Sequence, residues 1–183
     1  MLAIDLLLNR SSQPRLQEPA PQEQALENIK QAALRAPDHA CLTPWKFVVC
    51  QNNGLIKLGA IFEQAALAAH KSQKDIERAP NLPLRAPMVI VAIAKYSEHQ
   101  KVPWVEQVAS ASCAVHAMQM AALAQGFAGV WRTGWYAKDP TVRQAFNLSE
   151  QDELVGFLYL GSAPLNTLSK VEKDSADFFD NWV

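Results

Sequence analysis

Residues 104–126 read WVEQVASASCAVHAMQMAALAQG, an apolar run with small residues at its middle. Pro103 precedes it and Gly126 stands where a helix C-terminus needs a left-handed residue, so the stretch is predicted as one helix of about twenty residues. Ala109, Ser110, Ala111, Ser112, Cys113 and Ala114 would let another backbone approach closely around much of its circumference. That pattern suggests a central helix and a place for a subunit interface.

The elements on either side set the fold class. Upstream, MVIVAIA at 88–94 is a continuous apolar run of strand length, as expected where both faces of a strand are covered. WKFVVC at 45–50 is β-branched and aromatic enough for another strand. Downstream, FAGVW at 127–131 and ELVGFLYLG at 153–161 supply two more. Helices are expected over 2–9, from Pro21 to about Arg35, near 55–70 after the Asn52-Asn53-Gly54 turn, and from the Asp139-Pro140 cap to about Phe146. Residues 71–87, punctuated by Pro80, Pro83 and Pro87, read as a loop with at most a short helix, and 162–183 as a tail without clear period. Helices and strands without strict βαβ alternation give an α+β domain, a single one over 1–183.

Composition narrows the function. The chain has 183 residues, 49% of them apolar, enough to bury a core. Its formal charge is -1, with 17 basic and 18 acidic residues and no basic run, which argues against a nucleic-acid partner. No stretch approaches the roughly 20 apolar residues of a membrane span. MLAIDLLLNR carries Asp5 within its apolar residues and no positive flank ahead of them, unlike a secretory signal. Three cysteines without C-x-x-C spacing read as reduced packing residues of a cytoplasmic protein. The four histidines show no metal-ligand spacing, and neither G-x-S-x-G nor G-x-G-x-x-G occurs.

What remains is a set of arginines at element ends. Arg10, Arg15, Arg35 and Arg132 each read alone as a solvated terminus. Together, with the hydroxyls of Ser11, Ser12 and Thr133, they could cradle a phosphate, because a guanidinium fork makes charge-assisted bonds to its oxygens. RAPDHACLTPWKF at 35–47 is similarly open: a buried turn in which Asp38 caps backbone N–H groups, or a loop whose polar side chains touch a ligand.

The order of motifs carries a resemblance. An early R-x-S before Arg15, then RAP followed by PW and a strand, then EQ-x-AS-x-x-x-A-x-x-M-x-x-A-x-x-x-G-x-x-G-x-W, then a late G-F-L-Y-L-G-x-x-P, resembles the nitroreductase family of flavoproteins from Leu2 to about Pro164. The resemblance implies an FMN-dependent fold with a central sheet flanked by helices, in an intertwined homodimer with flavin at the interface. It places Arg10, Ser11 and Ser12 at the FMN phosphate and ribityl chain and Trp131, Arg132 and Thr133 over the cofactor. Arg35 and His39 would arrive from the partner protomer. Trp45 and Phe47 would return the chain to the core. The implied activity is ping-pong hydride transfer from NADH or NADPH through FMN to a nitroaromatic, quinone or similar acceptor. No side chain serves as nucleophile, and Arg35, with Arg15 in reserve, is nominated for the flavin N1/O2 edge. Two other readings share the fold: a non-catalytic flavin-binding or dimeric interaction module, and a flavin enzyme that uses oxygen. The chain departs from the family pattern at Ser11, where a second arginine is common, and at Cys41 and Thr43, where amides are usual. The loop departures bear on substrate choice more than on cofactor binding.

Overall fold

In the computed structural model, which describes residues 2–164 and 173–182, four strands form one antiparallel sheet in the order β1-β2-β4-β3. They are β1 (Trp45–Gln51), β2 (Met88–Ala94), β3 (Ala128–Arg132) and β4 (Glu153–Gly161). The helices are α1 (Ala3–Asn9), α2 (Glu23–Ala33), α3 (Asn53–Ala68), α4 (Gln73–Arg78), α5 (Trp104–Ala124) and α6 (Pro140–Ala145). Helices on both faces of an antiparallel sheet make this an α+β fold.

Both inner strands are almost wholly apolar for this reason. Every residue of β2 is buried. Val89, Val91 and Ile93 face α3 and α6, where they meet Leu58, Phe62, Ala65 and Val142. Met88, Ile90 and Ala92 face α2 and α5, where they meet Ile29, Ala114, Val115 and Met118. Each fully buried large aliphatic contributes about 1.5–3 kcal/mol. α5 is therefore central, as its sequence suggests, and it closes at Gly126 with φ 83°. Ser110, Ala111 and Ala114 face inward on it, while Ala109 and Cys113 lie exposed beside Trp104 and Val105.

β4 changes its facing partway along. Leu154 shares a core layer with Phe157 and Tyr159, whereas Val155 joins Leu158 and Leu160 on the other face. Alternation alone forbids that, and the register shift against Ala92/Ile93 supplies the extra residue. Gly156 sits at the shift with φ +146°.

The structure adjusts some boundaries. α3 begins at Asn53, two residues before the expected start, because Asn52 alone makes the turn with φ 47° and Gly54 lies inside the helix. Residues 71–87, expected as loop with at most a short helix, hold α4 and two 3-10 turns at Ala79–Asn81 and Pro83–Arg85. Gly59 allows this compaction: a Cβ there would stand 2.4 Å from the Pro80 carbonyl oxygen. Asp139 caps α6 as expected, accepting from Thr141 and Val142 N–H. Part of the 162–183 tail, residues 165–172, lies outside the described residues. No helix among the described residues is long and apolar enough to cross a membrane.

Candidate functional site

The segment after α1 threads across one end of the sheet. Gln13 is buried; its N–H donates to the Gly129 carbonyl at 3.2 Å and its amide donates to Ser11 Oγ at 3.1 Å. Arg10 stays at the surface, its Nη1 donating to Ser12 Oγ at 3.3 Å. Farther along, Leu16 N–H donates to the Arg85 carbonyl at 2.8 Å, and Gln17 pairs with Ser162 in an isolated antiparallel bridge. Arg132, at the end of β3, reaches back to this segment and donates from Nη2 to the Pro14 carbonyl at 3.0 Å. One bond thus ties Arg10, Ser11 and Ser12 to Arg132 through the same short segment.

Arg132 also opens onto a cleft of about 390 Å3, whose lining includes Arg78, Arg85, Thr133, Tyr136 and Tyr159. The Arg132 guanidinium carbon lies 5.7 Å from the Tyr159 ring centroid. Its Nε is buried with no hydrogen-bond partner. Burial, then the like charges of Arg78, Arg132 and Arg15, push the Arg85 pKa below the ordinary arginine value. Burial drives the Tyr159 phenol up to about 12, so it stays neutral near pH 7. Among the described residues none of these four arginines is in an ion pair with a carboxylate. Asp75, on α4 with Arg78, is held by the Ser72 hydroxyl at 2.7 Å. Arginines gathered in a cleft without ion-pair partners are what a bound anion requires.

Thr133 and Gly134 form a rim shared with a second cleft of about 330 Å3, which Trp104, Ser112 and Trp131 help to line. Trp131 is fixed there by its indole N–H, which donates to the Val155 carbonyl at 3.1 Å across Gly156.

The 35–47 loop lies elsewhere, against the first turns of α5. Asp38 accepts from Leu42 N–H at 3.2 Å and Thr43 N–H at 2.7 Å, the capped-turn arrangement. Ala40, Cys41 and Thr43 take positive φ of 63°, 53° and 48°, each strained for a residue with a Cβ. Ser110 Oγ donates to the Pro37 carbonyl at 2.6 Å, and His39 Nδ1 lies 2.8 Å from Glu106 Oε2. Arg35 and His39 are exposed, and no hydrogen bond or ion pair among the described residues joins them to Arg10 or Arg132. Trp45 and Phe47 pack on the α5 side of the core, as expected. Arg78, Arg85, Tyr159 and Glu106 were not singled out from the sequence. The one signal for Arg78 and Arg85 is that RAP occurs three times, at 35–37, 78–80 and 85–87. Among the described residues no group of three or more His, Cys, Asp or Glu side chains is placed to hold a metal.

Four antiparallel strands between helical layers, with arginines gathered where β3 meets the N-terminal segment, define a nitroreductase-like α+β fold. Solved structures share it over the full chain. One is a nitroreductase-like family protein from Bacillus cereus (TM-score 0.83, 19% identity, 100% of this chain and 96% of that one). Another is a nitroreductase with bound FMN from Bacteroides fragilis (TM-score 0.76, 22% identity, 100% and 99%). The model of the Nitroreductase family matches residues 8–162, and the chain belongs to that family. Relatives at higher identity include "Putative NAD(P)H nitroreductase YdjA" of Escherichia coli strain K12, 50% identical over 171 residues and 93% of each chain. A "Putative NAD(P)H nitroreductase" of Haemophilus influenzae Rd is 39% identical over 175 residues, 95% of this chain and 93% of the relative.

Proposed function

We propose that the protein is an FMN-dependent NAD(P)H oxidoreductase, acting as a homodimer in the cytoplasm. The observation that carries the reading is the arginine cleft, in which the buried Arg132 Nε lacks a partner and no described carboxylate forms an ion pair with the arginines. Such a donor set fits a phosphate-bearing cofactor. FMN in the Bacteroides fragilis structure and NAD(P)H in the relatives' names support it. Bound FMN would supply two-electron chemistry, taking hydride from NADH or NADPH and passing it, after the nicotinamide leaves, to a nitroaromatic, quinone or similar electron-poor acceptor.

The side chains then bind, orient and exclude water. Arg10 and Ser12 present a guanidinium and a hydroxyl for the phosphate, while Ser11 is already engaged by Gln13. Arg132 adds a second guanidinium, with Thr133 at the rim. Trp131, locked to Val155, walls the adjoining cleft against water. Arg35 and His39 would come from the second protomer, with His39 oriented by Glu106 and its loop by Asp38. A dimer is supported by the apolar side chains one chain leaves exposed: Ile4 and Leu7 on α1, Val105 on α5, and Phe178, Phe179 and Trp182 beyond it. No residue of α1 is buried, so a helix of 7 residues lacks the packing that would stabilise it alone.

Arg10→Ala and Arg132→Ala should each weaken FMN binding without unfolding the protein. A charge-assisted bond to phosphate is worth about 1.5–3 kcal/mol, so the dissociation constant should rise about 10- to 100-fold. Flavin fluorescence titration of apoprotein measures it, with circular dichroism as the fold control. Unchanged affinity in both variants would show that the phosphate is held elsewhere.

A further inference from the structure

The cleft holds more positive charge than a phosphate needs. Arg78, Arg85 and Arg132 line it together, and Arg10 stands at the far end of the segment that Arg132 grips. A phosphate monoester brings about two negative charges at neutral pH. Three guanidiniums in one cleft therefore leave a surplus, and a partly desolvated surplus costs stability unless a further negative charge arrives.

Bound FMN would supply one when reduced: two electrons and one proton would leave its ring with a net negative charge. Arg78 and Arg85 are suited to meet it because neither belongs to the N-terminal segment that carries Arg10 and Ser12. Arg78 lies at the end of α4 and Arg85 in the second 3-10 turn after it, and both line the cleft with Arg132 and Thr133. That wall is rigid: the Pro80 carbonyl is seated against Gly59 of α3, and the Arg85 carbonyl accepts the Leu16 N–H. Arg35, which would come from the second protomer, lies exposed just past the end of α2 and is not part of this chain's own cleft.

We propose that Arg85, backed by Arg78, is the positive pole that stabilises the reduced flavin, setting the reduction potential of the bound cofactor rather than anchoring its phosphate. The assignment rests on the FMN reading above and deepens it. It gives Arg85 and Arg78 the task that the family resemblance placed on Arg35. Neither side chain takes hydride or proton; each acts through its charge.

The test compares oxidised and reduced affinities. Full-length protein reconstituted with FMN, as wild type, Arg85→Gln, Arg85→Lys and Arg78→Gln, is titrated anaerobically against redox dyes to obtain the two-electron midpoint potential. Oxidised-FMN affinity is measured separately by fluorescence. Arg85→Gln should favour oxidised over reduced flavin about tenfold more than wild type, a fall of about 30 mV for a two-electron couple. Arg78→Gln should move it the same way by less, and Arg85→Lys, which keeps the charge, should restore most of the difference. The substitutions leave the Arg85 backbone bond to Leu16 intact. Flavin-loaded Arg85→Gln and Arg78→Gln with wild-type potentials would overturn this assignment and leave the FMN reading standing. Equal weakening of both flavin states would overturn it too, by making Arg85 a phosphate ligand. Wild-type protein that takes up no FMN would overturn both readings together.

Discussion

Gly156→Ala should cost about 3–5 kcal/mol of stability and release FMN from whatever protein remains folded. The backbone at 156 has φ +146°, a region that L side chains rarely enter, and the strain of forcing one there is about 1–3 kcal/mol. Space is the larger obstacle. A Cβ would lie 2.4 Å from Trp131 Nε1, 2.6 Å from the Arg132 carbonyl oxygen and 2.9 Å from Trp131 Cδ1. One of those atoms is backbone in the neighbouring strand, and the indole is held by its bond to Val155. Overpacking adds about 1–3 kcal/mol. Because domains are stable by only about 5–15 kcal/mol, the loss is a large part of the total. Relief requires moving Trp131 and Arg132, so flavin retention should fall with it. Urea unfolding followed by circular dichroism measures the first effect and desalting with FMN the second. A shift below about 1 kcal/mol would mean that the indole does not lie over Gly156.

The second large effect belongs to Asp152, at the entry to β4. It is 2% exposed, and its carboxylate accepts from Lys95 Nζ, from Tyr96 N–H at 3.1 Å and from Ser149 N–H at 2.8 Å. Arg143 of α6 donates to its carbonyl at 3.1 Å. One side chain therefore joins the end of β2 to the turn before β4. Burial works to raise its pKa, but the bonds from Lys95, Ser149 and Tyr96 outweigh it and the net shift is downward. A depressed carboxylate contributes stability above its unfolded pKa of about 3.9, and that contribution is lost as pH falls through the lower folded value. Asp152→Asn should destabilise by about 3 kcal/mol at pH 7, since it leaves donors facing a donor. Urea midpoints of the wild type should therefore fall more steeply than those of the variant as pH drops below about 4. Parallel decline in both proteins would refute the assignment.

Much of the fold was legible in the sequence because burial on both faces leaves a plain record. MVIVAIA could be nothing but covered strand, and α5 announced its length through its small residues and Gly126. The change of face in β4 left no such record: ELVGFLYLG is apolar almost throughout, so a one-residue shift does not disturb its pattern. Of the residues the motifs singled out, Arg10 bonds Ser12 and Arg132 bonds Pro14 of the same segment, whereas Arg78 and Arg85 stayed hidden. Their convergence depends on α4 and two short turns folding back on α3 at Gly59, a tertiary event that local composition records only as proline punctuation. RAPDHACLTPWKF admitted two readings, and the structure shows why they need not compete. Asp38 caps the turn, and that cap holds three strained residues in a shape that leaves Arg35 and His39 exposed, as the proposed contact with a second chain needs.

Anaerobic titration of the FMN-reconstituted protein with NADH and with NADPH tests the proposed activity most directly. Bleaching of the yellow flavin by at least one nicotinamide, with colour restored by a nitroaromatic or quinone under nitrogen, is the expected result. Failure to retain FMN, or bound flavin that neither nicotinamide bleaches, would contradict it.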